Sequence, residues 1–210
     1  MTSRKVVGVF LNSATHQPHI NTLTAMTHGI RETTDNLVFL SNSTKYMDCD
    51  VAIIFGSWKD RHMQHHILKN DVVNSHKGTL LVIETPLLGR TITEDHRYYR
   101  VGQSHYMDTL GYFNNKKSDK DRWGIIRTDL GLEVKDWRKE GKHIMFLMQL
   151  PGDAATANVD ILKWLQDEIV KCKKISDRPV RVRMHPLISS YDLSKFEEFV
   201  EKQKDVSMVF

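Results

Sequence analysis

Short apolar segments alternate with segments of helical spacing along this chain, in the order β, α, β, β, α, β and, after a looser stretch, β, α, β, α, β. That alternation predicts an α/β protein of two Rossmann-like units, because a helix between successive strands is what lets parallel strands pair in one sheet. Two features support it. Most strand segments are nearly continuous apolar runs, as strands covered on both faces require, and most helical segments carry one apolar stripe only. The first unit is placed at residues 1–125, a linker at 126–142 and the second unit at 143–210.

Residues 5–11 (KVVGVFL) make the first strand, and the polar residues 12–15 a turn after it. Over 18–31 the positions Ile20, Leu23, Met26 and Ile30 fall at near-helical spacing, with Pro18 suited to a first turn and Gly29 near the end. Residues 36–40 (NLVFL) and 50–55 (DVAIIF) give two more strands. Gly56-Ser57-Trp58-Lys59-Asp60 follows directly, and the chain beyond it, through Lys69 and Val73, reads as a helix. Residues 79–83 (TLLVI) form a fourth strand ending in Glu84, before the segment 85–90 that closes on Arg90. Turns that leave the carboxyl ends of such strands are where α/β sheets bind ligands.

Between 91 and 142 the pattern loosens into aromatic and charged residues, including a polar run at 114–121 that reads as a solvated loop. Trp123 and Trp137 are expected over the crevice between the units. The second unit opens with a strand at 143–150, a loop at Pro151-Gly152-Asp153, and a helix whose apolar face is Ile161, Leu162, Leu165, Ile169 and Cys172. A strand at 178–184, a helix at 192–202 with Asp192 as N-cap, and a strand at 206–210 complete it. With three strands and no closing helix, this second unit reads as cut short, and a fragment, a split gene or a second chain that completes it is expected, a small complete three-strand layer being the alternative.

Composition narrows the function classes. At 40% hydrophobic over 210 residues there is material for a folded core. No apolar run reaches the ~18 residues of a membrane span, and residues 1–10 lack the apolar region of a signal peptide, so a cytoplasmic protein without membrane contact is expected. Two distant cysteines, Cys49 and Cys172, are expected as buried free thiols. Thirty Lys and Arg against twenty-six Asp and Glu give a net charge of +4. This permits a polyanionic partner without the dense basic stripe that would by itself argue for one. The chain contains no GxGxxG, no P-loop, no HExxH and no serine nucleophile elbow. His62, His65 and His66 have helical i, i+3, i+4 spacing, but no carboxylate or cysteine nearby completes a metal site, and none is expected.

The most informative stretch pairs QLPGD at 149–153 with RPVRVRMHP at 178–186 across one helix. A glycine loop and a following helix N-terminus at one sheet edge suit an anionic ligand. Together the two motifs resemble glycosyltransferases of the two-Rossmann GT-B fold. The likeness is to capsular-polysaccharide sugar transferases, to sialyltransferase-like enzymes and to bacteriophage glycosyltransferases that modify DNA bases; it is best over 140–190 and weaker over 56–90. The resemblance implies a GT-B-like pair of units, the first on the acceptor side and the second holding a nucleotide-sugar co-substrate, with no bound cofactor or metal. Its implied donor residues are Gln149, Gly152, Asp153, Arg183, His185 and Pro186, with His185 donating to a phosphate oxygen; Asp153 also suits an N-cap of the next helix. Arg183 suits the charge developing on the leaving phosphate.

Removal of a proton from an acceptor hydroxyl needs a base, and Glu84 is the first choice, Asp60 the second. Gly56, Ser57, Trp58, Lys59 and Arg90 are the expected acceptor contacts, Trp58 by stacking and Lys59 by charge. The favoured acceptor is a hydroxymethylated base in phage DNA, which would place the protein in the host cytoplasm. A polysaccharide acceptor, and a non-catalytic nucleotide- or nucleic-acid-binding module, are the alternatives.

Overall fold

A computed structural model describes residues 4–59, 62–85, 88, 98–107, 109–114, 116, 118–153, 156, 158–188 and 192–210. The chain separates into two compact units, Met1–Glu133 and Val134–Phe210. The division falls inside the segment read as a linker from sequence. A helix over Arg122–Asp129 crosses the start of that segment and belongs to the first unit.

The first unit is built on β1 (Val6–Phe10), α1 (Gln17–Thr33), β2 (Leu37–Ser41), β3 (Val51–Phe55), α2 (Gln64–Ser75), β4 (Thr79–Glu84), β5 (Arg100–Gln103) and α3 (Arg122–Asp129). A single 3-10 turn, Leu11–Ser13, follows β1. The sheet order is β2-β1-β3-β4-β5, with β1 to β4 parallel and β5 antiparallel at the edge. Its central strands β1 and β3 bury four of five residues each, among them Val9, Phe10, Ile53 and Ile54 at 0% exposure. Cover on both faces is why their sequences run apolar rather than alternate. The β2-to-β3 connection contains no helix and passes β1 to reach its other side. Asp50 anchors the return: its carboxylate accepts the Val6 N–H (2.7 Å), and its own N–H donates to the Val6 carbonyl (2.9 Å).

The second unit carries β6 (Ile144–Leu147), α4 (Ile161–Ile175), β7 (Val180–Arg183), α5 (Ser194–Glu201) and β8 (Val206–Val209), in a fully parallel sheet of order β6-β7-β8. Ile161, Leu165 and Ile169 of α4 and Phe196 and Val200 of α5 meet Val180 and Val182 in one core. The period-two alternation of β7 sends Arg181 and Arg183 to the opposite face, where Met145 and Leu147 are 43% and 62% exposed. Helices therefore cover one face of this sheet. Among the described residues no helix is long and apolar enough to cross a membrane.

Several expectations are corrected. Both β5 and α3 occupy a region read as irregular. The start of α4 is Ile161, and its N-cap is Asp160, whose Oδ1 accepts the Lys163 N–H (3.0 Å); Asp153 does not cap it, and Gly152 lies in a turn well before the helix amides. For α5, Asp192 accepts the Ser194 N–H (3.0 Å), but Leu193 is the N-cap. Cys49 and Cys172 are free but only half-buried, with burial pushing the Cys49 thiol pKa up.

Candidate functional site

Parallel pairing brings the two motifs of the second unit to one edge. Leu147 is in register with Arg183, and the Met148 N–H donates to the Arg183 carbonyl (2.9 Å), so Gln149–Gly152 leaves β6 beside His185 and Pro186 leaving β7. The loop is held by its own bonds. The Asp153 N–H donates to the Leu150 carbonyl (3.3 Å), the Thr156 N–H to the Asp153 carbonyl (2.9 Å), and the Thr156 hydroxyl to the Leu150 carbonyl (2.9 Å). Gly152 has φ +66 and open space where a Cβ would sit, so backbone conformation is what requires glycine there. His185 Nδ1 accepts the Leu187 N–H (3.1 Å), which assigns the neutral ring's proton to Nε2. That nitrogen is thereby prepared as a donor. The side chains of Gln149 and Arg183 are exposed and make no hydrogen bond or ion pair among the described residues.

In the first unit the topology itself marks a second edge. From β1 the chain goes to β2 on one side, while β3 lies on the other, so the loops after β1 and β3 part at a topological switch point. Ser13 stitches the two strand ends together: its buried hydroxyl donates to the Phe10 carbonyl (2.6 Å) and accepts the Phe55 N–H (2.8 Å). Gly56, at φ +75, turns the chain out of β3 while its N–H still donates to the Ile83 carbonyl (2.7 Å). Asn70 Nδ2 donates to the Lys59 carbonyl (2.9 Å), tying this loop to α2. An open cleft of about 480 Å³ lies beside these ends, lined by Asn12, Ala14, Thr15, Thr44, Gln64 and His65. A second depression, of about 400 Å³, is lined only by residues 121–129 and is a groove along α3.

Lys69 is the residue that sequence reading missed. It lies on α2, is 4% exposed, and sets its Nζ 3.6 Å from the position a Gly56 Cβ would take. Among the described residues it makes no hydrogen bond and no ion pair. Burial pushes its pKa down to about 8; the Glu84 charge works against the shift and the Lys59 charge adds to it. The signal for it was helical phase, since Lys69 shares the buried face of α2 with His66 and Val72. Burial, and then the Lys69 charge, lower the pKa of His65.

The other expected residues fall as follows. Glu84 closes β4 half-buried, its Oε1 accepting both the Thr85 N–H and the Thr85 hydroxyl (2.8 Å each), which orients the carboxylate at the strand end. Ser57 and Lys59 are half-buried beside it in the Gly56 loop. Trp58 is half-buried too, in edge-to-face contact with His105 (4.8 Å) and Tyr106 (5.1 Å). Asp60 and Arg90 lie outside the described residues. The histidine spacing does not carry over, because His62 precedes α2, and among the described residues no group of three or more His, Cys, Asp or Glu is placed to share a metal ion. No protein-family model matches the sequence, and comparisons with curated proteins and with solved structures return no match. What fold and geometry define is a mixed α/β protein with a parallel-dominated five-stranded sheet and a three-stranded parallel sheet.

Proposed function

We propose that the chain is a glycosyltransferase of GT-B type, acting in the cytoplasm, that moves a sugar from a nucleotide donor to a hydroxyl acceptor. The observation that carries this reading is the convergence of Gln149–Gly152 and His185–Pro186 on adjacent strand ends of one parallel sheet, with His185 Nε2–H prepared as a donor. The donor is held by the second unit, its phosphates by His185, the Gly152 loop and Arg183. The acceptor is held by the first unit, where Glu84 takes the proton of the acceptor hydroxyl. As that oxygen bonds to the anomeric carbon, the bond from carbon to phosphate oxygen breaks, and the electron pair leaves with the nucleoside diphosphate. Arg183 and His185 stabilise the charge that develops on it.

The favoured acceptor is a hydroxymethylated base in DNA, for which the net charge of +4 is suited, with Trp58 and Lys59 as contacts. The test is nucleotide-sugar binding, measured by calorimetry for wild type, Arg183→Ala and His185→Ala. Loss of about ten-fold or more in affinity in either variant is expected; unchanged affinity in both overturns the donor site.

A further inference from the structure

We infer that the first unit carries a binding site for the phosphate group of a small phosphorylated molecule, at the carboxyl ends of β1 and β3. The α2 N-terminus and the Lys69 ammonium hold the anion there, and the cleft between residues 12–15 and 64–65 takes the rest of the ligand. The site goes beyond the donor site of the second unit and does not require sugar transfer, though it adjoins the Gly56 loop proposed to contact the acceptor.

Several separate observations meet at this place. The 12-residue helix α2 starts without a side-chain cap and without an acidic residue in its first turn. The N–H groups of Gln64 and His65 make no hydrogen bond among the described residues. Uncompensated first-turn amides and the positive end of a helix dipole favour an anion. Side chains on a helix lean toward its N-terminus, and Lys69, further along α2, brings its ammonium back to Gly56 and exerts its charge on His65 in the cleft wall.

A cation removed from water is normally paired. Lys69 is 96% buried and unpaired among the described residues, and the nearby carboxylate that acts on it, Glu84, lies beyond ion-pair distance. An anionic ligand supplies the missing partner. None of the six residues lining the cleft is acidic, and its 480 Å³ is well above what a bare phosphate fills and within the range of small-molecule sites, enough for a sugar phosphate or a mononucleotide. The bonds of Ser13 to Phe10 and Phe55 hold the two strand ends beside the cleft in place without a ligand, so little ordering accompanies binding.

The experiment titrates the full chain with inorganic phosphate, glucose 6-phosphate and adenosine monophosphate by calorimetry. Saturable binding of at least one organic phosphate, tighter than inorganic phosphate, is expected; the stronger of the two tells sugar from nucleoside. Lys69→Met is expected to weaken it by about ten-fold or more, while His185→Ala, in the second unit, leaves it in place. Amide resonances of the wild type give a readout that needs no variant, with Gln64 and His65 moving in proportion to saturation. No saturable binding below about 10 mM, unchanged affinity in Lys69→Met, or resonance changes confined to Gly152 and His185 overturns the inference.

Discussion

Replacing Lys69 by methionine should stabilise the first unit at neutral pH, because the ammonium is a buried charge whose desolvation the nearby Glu84 charge offsets only in part. Methionine keeps an unbranched chain in the same slot and removes the charge. The pKa of Lys69 in the folded protein is pushed down to about 8 from an ordinary 10.5. That difference corresponds to about 3 kcal/mol by which the folded state disfavours the protonated form. The cost applies in full below pH 8, where folded and unfolded chains both carry the proton. Between about 8 and 10.5 the unfolded chain still holds a proton that the folded chain has released, so wild-type stability rises with pH through that window. Of the neighbouring charges, Glu84 holds the pKa up, while Lys59 depresses it further. Lys69→Met is therefore worth up to about 3 kcal/mol at pH 7 and close to nothing at pH 10.5. Urea unfolding at both pH values measures it, with Trp58 as the reporter and the other three tryptophans changed to phenylalanine in both proteins. A methionine variant that is less stable at pH 7, or a gain of equal size at both pH values, would refute the reasoning.

Three further substitutions probe the framework of the two edges. Ser13→Ala strands the buried Phe55 N–H and should cost about 1–3 kcal/mol in urea unfolding, where an isolated surface hydroxyl would cost nothing measurable. Gly56→Ala forces a side chain into the left-handed region at φ +75 and should lower the stability of the first unit by about 1–2 kcal/mol. Asp160→Ala removes the α4 cap and should cost about 1 kcal/mol, seen in the unfolding of the second unit alone.

The parallel strands of both sheets are legible because burial on two faces, or burial against a helix layer, writes itself as apolar runs: VVGVF, VAIIF and TLLVIE need little else. The edge strand β5 is not legible. Its four residues include two polar ones, Val101 is 43% exposed, and its position depends on antiparallel register with β4 rather than on any local pattern. Helix α3 buries no residue and so has no stripe to read. For the second unit's edge, the motif residues were visible in the sequence, but the adjacency of Gln149 and His185 follows only from β6 and β7 being neighbours. Lys69 escaped because a helical lysine ordinarily snorkels to water, whereas here its ammonium lies near Gly56, in the loop after β3, which no local pattern in α2 reveals.

The most direct test of the proposed chemistry is mass spectrometry of hydroxymethylated DNA after incubation with the full chain and a panel of nucleotide sugars. The account predicts a mass increase of one sugar unit, that of the donor supplied, on the modified base, lost in Glu84→Gln and strongly reduced in His185→Ala. Unmodified DNA across the whole panel, together with wild-type affinity for nucleotide sugars that His185→Ala leaves unchanged, would contradict it.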